Sequence, residues 1–101
     1  MIAQPRIPIP PQALADFCRR NQIRHLGLFG SVLRADFRPD SDLDVLVEFE
    51  PGAPVSLFRL ADIQDELAAL LGRAVDLVPR DGLKPVIRDA VLASEYVLYA
   101  A

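Results

Sequence analysis

A chain of 101 residues, 51% apolar and 25% charged, is long enough for one compact domain and too short for two. Its net charge of −3, with no basic run longer than Arg19-Arg20, lacks the electrostatic footprint of a chain that grips nucleic acid, so direct nucleic-acid binding is not expected. A single cysteine (Cys18), no apolar run of bilayer length and no export signal together set the expectation of a cytoplasmic protein without disulfides or a membrane anchor.

Pro5, Pro8, Pro10 and Pro11 mark residues 1–12 as an extended proline-rich arm and residues 13–101 as the folded domain. Pro11 also suits the first turn of a helix in which Leu14, Phe17 and Cys18 share one stripe, ending near Asn21. His25-Leu26-Gly27-Leu28-Phe29 reads as a first strand, stopped by Gly30. Ser31 is placed to cap a short helix over Val32 to Ala35, and Asp36 to Ser41, with Pro39 inside, reads as a loop. The clearest strand is Leu43 to Phe49, broken by Pro51-Gly52.

A long helix follows from about Ser56 to Leu71, with Leu60, Ile63 and Leu67 at helical spacing and Gly72 as its C-cap. Ala74 to Val78 is a strand ended by Pro79. Lys84 to Ala93 is a helix with Pro85 near its start and Ile87, Ala90 and Val91 expected to face inward. Glu95 to Tyr99 makes a short last strand. The order α-β-α-β-α-β-α-β describes an α+β (α/β layered) domain around a small sheet, with no internal repeat.

Three aspartates stand out. Asp42 and Asp44 are two apart at the head of a strand, so their side chains share a face, while Leu43, Val45, Val47 and Phe49 supply a core stripe on the other. Asp76 interrupts an apolar strand, where a carboxylate is expensive unless something compensates it. If the two strands are neighbours, the three carboxylates converge and repel. A divalent cation removes the conflict, and Mg²⁺ suits oxygen ligands completed by water and phosphates. Upstream, Gly30-Ser31 joins a strand to a helix N-terminus. That junction offers backbone N–H groups, a favourable dipole and a hydroxyl, all suited to a triphosphate.

The segment from Gly30 to Val47, with Gly30-Ser31, Arg34 and the Ser41-Asp42-Leu43-Asp44 step, resembles the signature of the DNA polymerase beta-like nucleotidyltransferases. More closely, together with Asp76 in a later strand, it is similar to the minimal nucleotidyltransferase (MNT) antitoxins, a likeness running from about residue 13 to the end. Two positions depart from that pattern: Val32, where members often carry a basic or bulky residue, and Ala35, where they often carry Gly. Neither removes a metal ligand.

The resemblance implies a nucleotidyltransferase fold with a small mixed sheet packed by helices. It also implies AMP transfer from ATP with pyrophosphate leaving, and two Mg²⁺ ions. Asp42 and Asp44 would be shared metal ligands, with Asp76 as a third ligand or general base. Gly30, Ser31 and Arg34 would hold the nucleotide. Larger relatives use an added helical domain to complete the site, for which this chain has no room, so a second polypeptide is expected. The family pairs with HEPN-domain toxins, which are RNases, and adds AMP units to a toxin tyrosine.

The alternative of a different class is a non-catalytic module that neutralises a toxin by complex formation alone and keeps its carboxylates as a metal or nucleotide clasp. A small-molecule nucleotidyltransferase of the antibiotic-modifying kind would need a second domain for its pocket. Elsewhere, His25 reads as structural, Cys18 as packing, and Tyr96 and Tyr99 as core or rim aromatics.

Overall fold

The fold was described from a computed structural model for residues 9–30 and 42–101. Ser31, Arg34, the short helix expected over Val32 to Ala35 and the loop from Asp36 to Ser41 lie outside these residues, as do positions 1–8 of the arm. In chain order the elements are α1 (Pro11–Arg20), β1 (Ile23–Phe29), β2 (Leu43–Phe49), α2 (Leu57–Leu71), β3 (Val75–Pro79), α3 (Pro85–Ser94) and β4 (Tyr96–Ala100), with a 3₁₀ turn at Arg80–Gly82.

Local chemistry sets the ends of the elements. Pro11 opens α1, where its missing N–H costs nothing, and the apolar stripe Leu14, Phe17, Cys18 is buried. Ser56 caps α2 by accepting the Arg59 N–H at 3.1 Å. At the other end Gly72 takes a left-handed conformation (φ +73°) and donates its N–H to the Ala68 carbonyl, which stops the helix.

The four strands form one mixed sheet in the order β3-β2-β1-β4. β1 runs antiparallel to both β2 and β4, whereas β2 and β3 are parallel. A parallel pair needs a crossover, and α2 provides it. One face of the sheet carries Ile23, Leu26 and Leu28 of β1, Leu43, Val45 and Val47 of β2, and Val75 and Leu77 of β3. A register shift between Ile23 and His25 accounts for the uneven spacing in β1. Against this face pack the α1 stripe and Ile63, Leu67 and Leu71 of α2, closing the main core. The Gln64 side chain of α2 also accepts the Leu77 N–H at 2.9 Å, which satisfies a donor on the edge strand β3.

The structure corrects the expectation for α3. Ile87, Ala90 and Val91 do not form an inward face: α3 contains no buried residue, Ile87 is 44% exposed, Ala90 is exposed and Val91 is half-buried. Helical periodicity identifies an apolar stripe, but a stripe becomes core only where another layer covers it. Ile87 lines a cavity with Asp44 and Asp76 on the sheet face opposite α1 and α2, and among the described residues no further helix covers α3 there.

Candidate functional site

The parallel register of β2 and β3 places Asp44 directly opposite Asp76. The flanking pairs Leu43 with Val75 and Val45 with Leu77 are buried in the core, so alternation turns both carboxylates to the other face. Neighbouring strands are roughly 4.8 Å apart, which brings the two acids within reach of one cation. Like charges opposite one another weaken a sheet, so this pairing does nothing for stability.

Asp44 is half-buried and Asp76 is exposed on an edge strand. The desolvation cost anticipated for Asp76 is therefore absent, because an edge strand leaves one flank open to water. What distinguishes the residue is its position opposite Asp44.

Gly30 follows the last residue of β1, and that residue, Phe29, pairs with Asp44. Gly30 has φ +77°, a conformation that disfavours any side chain. A Cβ added here would fall 3.2 Å from Cγ of Asp44 and closer still to Oδ2. The turn and the carboxylate thus approach one another only because the position is glycine.

Asp42 stands differently. It precedes β2 and is exposed, and among the described residues no three His, Cys, Asp or Glu side chains gather as a cation site. The expected convergence of three carboxylates is thus seen for two of them.

Asp44 and Asp76 line a cavity of about 320 Å³ together with Phe29, Val78, Leu83 and Lys84. Lys84 escaped the sequence reading, which placed it only at the start of a helix. Its signal was available: a lysine where helices favour Ser, Thr, Asp or Asn.

His25 and Glu95, 70 positions apart in the chain, are joined by a 2.6 Å contact between Nε2 and Oε2. Glu95 is only 6% exposed, and its side chain occupies the space beside Gly27, where a Cβ would lie 2.6 Å from its Cγ. This agrees with a structural role for His25. Cys18 is fully buried and burial pushes its thiol up to about 12, so it is an inert packing group. Tyr96 and Tyr99 pack against the core cluster as partly buried aromatics. No helix among the described residues is long and apolar enough to cross a membrane.

Comparison with known proteins gives the family. The nucleotidyltransferase domain family matches residues 11–96. Protein adenylyltransferase MntA of Thermococcus cleftensis is 44% identical over 70 residues, which make up 69% of each chain. A solved structure described as a minimal nucleotidyltransferase is 40% identical, with a TM-score of 0.69, covering 84% of this chain and 85% of that one. The fold also matches a chain of the complex between the tri-AMPylated Shewanella oneidensis HEPN toxin and its MNT antitoxin. There the TM-score is 0.64 at 22% identity, over 90% of this chain and 70% of that one. The family match over residues 11–96, together with relatives 44% and 40% identical, places the chain in the nucleotidyltransferase domain family, among its minimal (MNT-type) members.

Proposed function

We propose that this protein is the cytoplasmic antitoxin of a HEPN toxin pair, and that it transfers AMP from ATP onto a tyrosine hydroxyl of its partner toxin with the help of Mg²⁺. The observation that carries the proposal is the register pairing of Asp44 with Asp76 beside the Gly30 turn. The kinship with a protein adenylyltransferase, and the AMPylated toxin in the complex that shares this fold, support the choice of nucleotide and acceptor.

The donor set fits magnesium. Two facing carboxylates supply hard oxygen ligands and leave positions for water and phosphate, which is how Mg²⁺ is usually held. Asp42 and Asp44 are assigned as its shared ligands and Asp76 as a further ligand or the general base. When bound, the ions stabilise phosphate charge and acidify the acceptor hydroxyl.

The chain's own groups supply the rest. Gly30 and Ser31 hold the β- and γ-phosphates through the turn, and Arg34 adds a positive charge to the same grip. The acceptor oxygen attacks the α-phosphorus in line, forming one P–O bond as the bond to the β-phosphate oxygen breaks. Its proton passes to the Asp76 carboxylate and pyrophosphate departs.

Incubation of the protein with its partner toxin, Mg²⁺ and ATP, followed by intact-mass spectrometry, tests this. The expected result is a toxin heavier by whole AMP units, absent with the double substitution Asp42→Ala/Asp44→Ala. A stable complex that gains no mass would leave a binding antitoxin in place of the enzyme.

A further inference from the structure

Among the described residues lining the cavity of Asp44 and Asp76, one is a cation, Lys84. Its backbone is fixed from both sides. Leu83 before it is buried, and Pro85 after it begins α3. The Lys84 carbonyl accepts N–H bonds from Ile87 and Arg88, each at 3.0 Å. Lys84 therefore lines the cavity from an anchored backbone.

The fold does not explain a lysine here. Lys84 is the N-cap of α3 but makes no side-chain capping bond, and a positive charge opposes the helix dipole at this end. Among the described residues, no ion pair or hydrogen bond holds its ammonium. A residue that is poor for the helix, placed at a carboxylate-lined cavity, calls for a ligand that is anionic.

We infer that Lys84 is a substrate-contacting residue of the transfer reaction and donates a hydrogen bond to a non-bridging oxygen of the α-phosphoryl group of ATP. The inference rests on the proposed AMP transfer. The Gly30 turn serves the outer phosphates, whereas Lys84 shares its cavity with Asp44 and Asp76, where the α-phosphorus must meet the acceptor. Negative charge spreads over the phosphoryl oxygens as the bond to pyrophosphate breaks, so the contact strengthens in the transition state. Lys84 keeps its proton throughout.

Two variants test this in the full chain with its partner toxin. Lys84→Ser supplies a better cap, so its melting temperature should equal or exceed that of the unmodified protein. Its affinity for ATP, read by displacement of a fluorescent ATP analogue, should fall several-fold, and AMP transfer at saturating ATP should fall about 100-fold. Lys84→Arg should recover most of the affinity and part of the rate. Lys84→Ser with unchanged binding and transfer would overturn the inference while leaving the transferase reading intact. A lower melting temperature with proportionate losses would also overturn it, by making Lys84 structural. If the unmodified protein itself adds no AMP, the transferase reading fails first and this one with it.

Discussion

The two faces of this one sheet obey different rules. Against α1 and α2, Leu26, Leu28, Leu43, Val45, Val47 and Leu67 are sealed from solvent. On the opposite face the same strands present Asp44, Asp76 and the buried Leu46, with the Gly30 turn at the end of β1 and the exposed Ile87 of α3 at the cavity. The first face lowers the free energy of the folded chain, at about 1.5–3 kcal/mol for each large apolar side chain fully removed from water. The second sets like charges side by side and leaves apolar surface exposed, a poor arrangement for stability but a good one for meeting a charged ligand and a partner. Along β2, Leu43, Val45 and Val47 serve the first face, whereas the second carries Asp44 two positions from Leu46, which is itself sealed from solvent.

Substitutions can break that separation or sharpen it. The largest effect is expected from Asp44→Asn, which keeps the shape and removes the charge. Transfer should fall by on the order of 10³-fold or more, with a smaller change in melting temperature than a core truncation produces. A matching loss of stability would show that the faces are not separable.

Leu67→Ala attacks the other side. A residue so fully buried should cost about 2–5 kcal/mol in urea unfolding, with transfer reduced only by the unfolded fraction. Gly30→Ala touches both faces' interests. Its left-handed backbone predicts a loss of about 1–2 kcal/mol, and displacement of the Asp44 carboxylate predicts a drop in transfer of up to about 100-fold. Smallest is Ser56→Ala, which removes the α2 cap for about 1 kcal/mol and should leave the rate at saturating ATP unchanged.

What the sequence made legible follows from the range of the forces involved. The ends of α2 were readable because Ser56 and Gly72 act on their own helix. β2 was readable because Leu43 to Phe49 alternates and is bounded by a turn. The meeting of Asp44 and Asp76 was conditional on strand adjacency, which the α2 crossover makes natural, and the register then placed them directly opposite.

What the sequence left illegible lies across space. The exposure of Asp76 depends on β3 being an edge, and that of Ile87 on what lies above α3; no local pattern carries either fact. The partnership of His25 with Glu95 joins positions 70 apart through a hollow that only Gly27 leaves open. The placing of Lys84 beside Asp44 and Asp76 depends on β1 and β2, which bring Phe29 and Asp44 to its cavity from 40 or more positions away.

The parallel pairing of β2 with β3 has a consequence for how the protein is made. A ribosome delivers the chain from the N-terminus at roughly 5–20 residues per second. Asp44 emerges with its strand early, but it has no opposite number until all of α2 and β3 have followed and the crossover has closed. A half-made chain thus holds one acid of the pair and nothing to set against it. The facing pair, to which the proposed transfer assigns the nucleotide, is completed late in synthesis, when most of the domain already exists.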